Sequence, residues 1–205
     1  MSKYLSKEKN MSQTKTDNRT KKTVFAGIFA AITYVVFTYL SIPIPTPTGQ
    51  ISVHLGNTFV CLGALILGSI YGSIGGAIGL TIGDLLTPAY IAESPITFII
   101  KFIMGFITGY LAHNIFHIST KKNSSKVLYA VIISSFAGLL FNAIFDPILR
   151  YFYKIFILGK SLANVSLSIN FVVTILNSII SLIICTILYM ALRTPLKKAG
   201  IIKND

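Results

Sequence analysis

Two charges interrupt the apolar middle of this chain, Asp84 and Lys101, on either side of a polar turn at Thr87-Pro88. A carboxylate or an ammonium inside hydrocarbon is costly, so it marks either a mutual ion pair or a place where a polar solute is handled. Amides accompany them at Asn57, Asn142, Asn170 and Asn177, with His54 and Glu93 on flanking loops. Tyr90, Tyr151 and Tyr153 offer flat aromatic surface against a planar ligand ring. One cation, several amides and aromatic faces suit capture of a small polar ligand by hydrogen bonding. Each residue also has a plainer role. Asp84 and Lys101 can neutralise each other and tie their two helices together, and His54 can be a solvated loop residue. The asparagines can be interhelical hydrogen bonders worth about 1 kcal/mol or less each, and the tyrosines an interfacial belt.

The elements that must hold these groups are membrane helices. Of 205 residues, 53% are hydrophobic and 12% charged, about half the charge of a soluble domain. The composition predicts an all-α polytopic membrane protein with six transmembrane helices at 23–41, 57–71, 73–86, 96–116, 127–145 and 169–192. Residues 1–22 are expected to be a disordered basic cytoplasmic tail and 193–205 a second basic cytoplasmic tail, flanking a single embedded unit, 23–192. The first apolar segment is too long for a signal peptide and should remain as a helix. Residues 42–50 hold three prolines and exclude helix there. The second and third helices are short and are expected to fold back at Tyr71-Gly72-Ser73. Gly75, Gly79 and Gly83, spaced by fours, then give one face on which backbones can approach closely. Residues 146–168 suit an interfacial helix or an extension of the fifth helix.

The net charge of +12 would suggest nucleic acid in a soluble protein, but here the basic residues collect in tails and one loop. Fourteen of the eighteen lysines and arginines fall on one side if both termini are cytoplasmic, with Arg150, Lys154 and Lys160 outside. Depth along each helix then puts Asp84, Lys101, Asn142, Asn170 and Asn177 in the outer half. The inner halves carry only weakly polar groups such as Ser134 and Ser135. The result is an outward-facing pocket, sealed toward the cytoplasm, whose binding residues are His54, Asn57, Asp84, Lys101, Asn142 and Asn177. Cys61 and Cys185 sit in apolar sequence and behave as small hydrophobes. Ala26 and Ala30 set small residues at i and i+4 on the first helix, a groove for helix packing.

Several chemistries lack their residues. The sequence has no HExxH, no GxSxG and no paired intramembrane aspartates, so neither a catalytic nor a metal site is expected. His113 and His117 share an i, i+4 spacing but have no acidic third ligand, which favours a solvated helix end. A phosphate loop of the form GxxxxGK[ST] is also missing, so energy from ATP would have to come from a partner.

Pro45-Thr46-Pro47-Thr48-Gly49-Gln50 with Leu55-Gly56-Asn57, Leu67-Gly68 through the glycine-rich hairpin to Gly83-Asp84, and Pro95-Ile96-Thr97 with Lys101, Gly105 and Gly109 carry a resemblance. In their order and spacing the chain resembles the substrate-binding S component of an energy-coupling factor (ECF) vitamin transporter, of the riboflavin type. The later helices match in character, with Asn177 the best anchor. The resemblance implies a six-helix subunit of a bacterial plasma membrane importer. Such a subunit binds a water-soluble vitamin or precursor (riboflavin, hydroxymethylpyrimidine, pyridoxine or similar) from outside, without a cofactor. It also implies partners: a membrane scaffold (T) subunit and two ATPases that bind the ATP. Residues 42–56 resemble a gate over the pocket, and Ala26 and Ala30 the scaffold-docking face. Two other functions compete with this one, a self-sufficient secondary carrier for a small polar solute and a non-catalytic membrane assembly protein.

Overall fold

A computed structural model describes residues 2–47, 49–160 and 163–202, with side chains over 19–47, 49–160 and 167–202. Helix α1 (Ser2–Tyr39) leads into an antiparallel hairpin of β1 (Ser41–Thr46) and β2 (Gly49–His54). Then come α2 (Gly56–Leu67), α3 (Ser69–Leu86), a 3-10 turn (Ile91–Glu93), α4 (Ser94–Tyr110) closing in a π turn (Leu111–Ile115), α5 (Ser124–Phe156) and α6 (Ala163–Lys198). Among the described residues, five helices are long and apolar enough to cross a membrane, while α2 is a shorter apolar helix of 12 residues, about 18 Å of rise. The chain is therefore a helical, polytopic membrane protein.

The hairpin departs from the all-α expectation. Its prolines are compatible with a strand because of register: Pro43 and Pro45 stand opposite Ser52 and Gln50, while Ile42 and Ile44 stand opposite Val53 and Ile51. Alternate positions of a strand turn their N–H groups to opposite sides, so prolines two apart lose donors on one edge only. α1 also reaches back helically to Ser2, through the segment whose composition suggests a disordered tail.

Glycine governs the packing of the first three helices. The fold-back between α2 and α3 falls at Gly68, not at Tyr71-Gly72-Ser73. Gly68 takes φ 93°, a left-handed conformation that costs glycine little. Gly72 instead lies inside α3 against α2, where an added Cβ would come within 2.2 Å of the Gly63 backbone. Gly75 and Gly79 meet the backbone of α1 at Ala26 and Ala30, and Gly83 meets the ring of Phe37. Both series rise together, so α1 and α3 run parallel. α4 packs antiparallel on α3 through Gly105 against Ser73 and Gly109 against Ser69, and Gly138 of α5 fits against Met104 and Thr108. Asn123 caps α5 by accepting from the N–H groups of Ser125 and Lys126 at 2.9 and 3.2 Å.

This geometry separates two kinds of glycine. Gly72→Val should lower stability by about 3 kcal/mol or more, because the α2–α3 backbone contact has no room to relax. Gly27→Val should change stability by no more than about 0.5 kcal/mol, since nothing lies within 4 Å of a Cβ there. Thermal unfolding in detergent checks both, and equal losses would contradict the packing described.

Candidate functional site

Antiparallel packing of α4 on α5 sets two polar rows against each other. Glu93, Thr97 and Lys101 recur every four residues along the 3-10 turn and α4; Asn142, Asp146, Arg150 and Lys154 recur every four along α5. Residues four apart share a helix face, so the rows meet as a ladder. Lys154 Nζ lies 3.1 Å from Glu93 Oε1, and Arg150 Nη1 donates to Glu93 Oε2 at 3.0 Å. Arg150 Nη2 donates to Thr97 Oγ1 at 2.9 Å and Nε to Asp146 Oδ2 at 3.0 Å. Lys101 Nζ closes the ladder, donating to Asp146 Oδ1 at 3.1 Å and Asn142 Oδ1 at 2.6 Å. Lys101, Asp146 and Glu93 side chains are each only 6% exposed, a depth at which a lone ion would be strongly penalised.

The expected Asp84–Lys101 pair is therefore not the one made. Lys101 pairs across to α5, and Asp84 is buried on α3, lining the same cavity as Thr97 and Lys101. Arg150 and Lys154 are likewise members of the ladder on α5, Arg150 half-buried and Lys154 buried. Charge counting places them outside because the expected span stops at 145, with 146–168 an interfacial helix or an extension of the fifth helix. In fact α5 continues through Pro147 to Phe156, forgoing one helical hydrogen bond. The four-residue spacing of Asn142, Asp146, Arg150 and Lys154 was the available signal.

Beside the ladder lies a cavity enclosing about 560 Å³ up to its open mouth. Asp84, Glu93, Lys101, Asp146, Arg150 and Thr97 line one wall, Asn170, Thr174 and Asn177 another, and Phe37, Tyr90 and Leu80 supply apolar surface. Of the expected residues, His54, Asn57, Asp84, Lys101 and Asn177 line it, whereas Asn142 sits behind Lys101 as its support. Asn57 Oδ1 is buried with no hydrogen-bond partner among the described residues. Tyr151 and Tyr153 do not line the cavity: Tyr153 donates to the Ala92 carbonyl at 2.9 Å and Tyr151 packs on Phe152.

The hairpin roofs the cavity and is latched to α6. Asn177 Oδ1 accepts from the His54 N–H at 3.0 Å, and its Nδ2 donates to the Ser52 carbonyl at 2.9 Å. One amide thus pairs the free edge of β2 as a neighbouring strand would. Ser52 Oγ also meets the Tyr90 hydroxyl at 2.5 Å. The His54 ring packs edge-on to Phe37 at 4.9 Å, and its Nδ1 accepts from the Gly56 N–H at 3.1 Å, which requires that nitrogen to be unprotonated. Burial pushes the His54 pKa down to about 3, Lys101 and Arg150 lowering it further against Asp146.

Away from the cavity the buried polar groups are small. Thr108 Oγ1 meets Cys61 Sγ at 3.7 Å, and Ser135 Oγ meets Cys185 Sγ at 3.8 Å. His113 and His117 do not converge: the first bonds the Leu65 carbonyl at 3.0 Å and Ser119 at 3.2 Å, the second the Ile115 carbonyl. Ala26 and Ala30 lie against Gly75 and Gly79, so packing within the chain covers the face first read as a partner groove. Gly27 and Ala31, one residue on, are the exposed small pair.

A family model described as "ECF-type riboflavin transporter, S component" matches residues 17–194. No curated protein and no solved structure matches the chain.

Two outcomes follow from the ladder and the roof. Lys101→Met should cost about 3 kcal/mol or more by stranding Asp146, and combining it with Asp146→Asn should cost less than the sum by about 1 kcal/mol or more; additive losses in detergent unfolding would uncouple the pair. For His54, the folded pKa lies below the unfolded value of about 6.5, so its stabilising contribution is complete above that pH and is lost as pH falls toward 3. The difference in melting temperature between the native chain and His54→Gln should therefore narrow between about pH 7 and about pH 4.5.

Proposed function

The chain belongs to the family of S components of ECF-type riboflavin transporters, and from that premise we propose that its cavity captures a water-soluble vitamin, riboflavin first among the candidates. The observation that carries this reading is the roofed cavity in which Asn57 Oδ1 is buried without a partner among the described residues. A buried acceptor left unpaired costs about 1–3 kcal/mol, which a ligand N–H or O–H would recover. A flavin offers both, a ring imide and side-chain hydroxyls, along with a flat face for Phe37 and Tyr90. Each charge of the ladder already has a partner within it, three cations to two carboxylates, with Asp84 on the same cavity lining, so this wall suits an uncharged ligand.

In this reading α2 counts as a sixth span, its short length supplemented by the hairpin. The cavity faces outward, and both termini lie on the cytoplasmic side of a bacterial plasma membrane, where most lysines gather. The hairpin and its latch act as the gate: ligand enters when Asn177 releases β2 and is held when it rebinds. A T scaffold subunit meets the exposed Gly27–Ala31 side of α1, and two ATPases bound to that scaffold supply the energy.

Quenching of riboflavin fluorescence by the purified chain tests the proposal, with hydroxymethylpyrimidine and pyridoxine as competitors. Saturable binding is expected, weakened about tenfold by Asn57→Leu, the worth of one buried hydrogen bond, with the melting temperature of the ligand-free chain not lowered, since the substitution removes an unpaired buried acceptor. Stabilisation by one of the other vitamins but not by riboflavin would reassign the ligand. No ligand-dependent rise in melting temperature with any of them would sink the capture function.

A further inference from the structure

At the end of the bundle opposite the cavity, the start of the α1 span and the end of α6 come together around a second concavity. It encloses about 700 Å³ up to its mouth and is lined by Lys21, Lys22, Phe25, Leu67, Gly200 and Ile201. Its far wall is built by the chain itself. Gly200 takes φ 67°, its N–H bonds the Lys197 carbonyl at 3.0 Å, and the Ile201 N–H reaches back to the Leu196 carbonyl at 3.0 Å. This is a Schellman turn, which reverses the chain after a helix and folds the next apolar residues back onto it. Ile202 is consequently buried, and Ile201 stands over the groove.

The groove is half cationic and half apolar. Lys22 Nζ sits 5.8 Å from the centre of the Tyr71 ring, a cation–π contact that leaves the ammonium charge in place. Among the described side chains the carboxylates are Asp84, Glu93 and Asp146, and all three line the cavity at the other end. The two lysines therefore have no described counter-ion within the protein. They lie where α1 enters its apolar span, Arg19–Tyr39, the depth of lipid headgroups. Basic pockets between helices at that depth suit anionic lipid phosphate.

We propose that this groove holds one anionic phospholipid, its phosphate between Lys21 and Lys22 and an acyl chain along Phe25 and Leu67. The apolar lining favours a lipid over a free anion, for which Phe25, Leu67 and Ile201 would have no use. Bound there, the lipid ties α1, the α2–α3 fold-back and the end of α6 together.

Native mass spectrometry of the full chain, released from micelles containing phosphatidylglycerol or phosphatidylcholine, tests this. Phosphatidylglycerol should be retained and phosphatidylcholine should not. Lys21→Gln/Lys22→Gln should cut retention about tenfold or more, while Lys121→Gln/Lys122→Gln, which removes the same charge elsewhere, should leave it nearly unchanged. Millimolar inorganic phosphate should not displace the lipid, and unchanged melting of the variants confirms their fold. Equal losses from both lysine pairs would reduce the effect to diffuse charge and overturn the proposal. Displacement by phosphate, or retained lipid alongside weakened assembly with partner subunits, would overturn it as well, pointing to a free-anion site or a protein-docking face.

Discussion

Buried charge must be paired, and in this protein that requirement fixes how α4 meets α5. Lys101, Asp146, Arg150, Glu93 and Lys154 form one continuous run of contacts of 3.0–3.1 Å. Slide either helix by one residue and every member faces the wrong partner. The ladder thus sets register as well as neutrality, and in hydrocarbon, where apolar side chains discriminate poorly between registers, specificity of this kind has to come from polar contacts and close packing. It also explains why the cavity can be rich in charge and still be a stable hollow: the ladder ions on its wall are already paired with one another.

Small residues perform the complementary task. Where the ladder holds α4 and α5 by polar contacts, α1, α2 and α3 are held by backbone approach at Gly72, Gly75, Gly76 and Gly79. That close approach positions Phe37 of α1, Asn57 of α2 and Asp84 of α3 around one space. The hairpin completes it, and its proline-bearing strand has a consequence for the other strand. Since Pro43 and Pro45 leave donors missing on the outer edge of β1, it is the outer edge of β2 that remains able to bond, and Asn177 takes it. The two bonds of Asn177 and the Ser52–Tyr90 contact tie the roof to the helices.

The two ends of the bundle are chemically unlike. One carries every described carboxylate, interleaved with cations; the other carries lysines without described acidic partners. The first arrangement neutralises itself and leaves orientation-sensitive hydrogen bonding for a ligand. The second holds lysines that no described carboxylate meets, the charge on which the proposed lipid contact rests.

From the amino-acid order alone came the membrane class, the approximate spans, the family resemblance and most of the cavity residues, because hydrophobic runs and isolated polar side chains are local properties written in one dimension. Asp84, Lys101 and Asn177 stand out by the cost of burying such groups and His54 and Asn57 by their place on the outer loops, and all five line one cavity. Pairing is not local. Whether Lys101 neutralises Asp84 or Asp146 depends on the crossing of α4 with α5, and Glu93 meets Arg150 across 57 positions of chain. The fold-back at Gly68, the inward turn of Ala26 and Ala30, and the strand bonds made by Asn177 depend likewise on helix rotation and register. Those quantities are set by packing all the helices at once, so only the tertiary structure decided them.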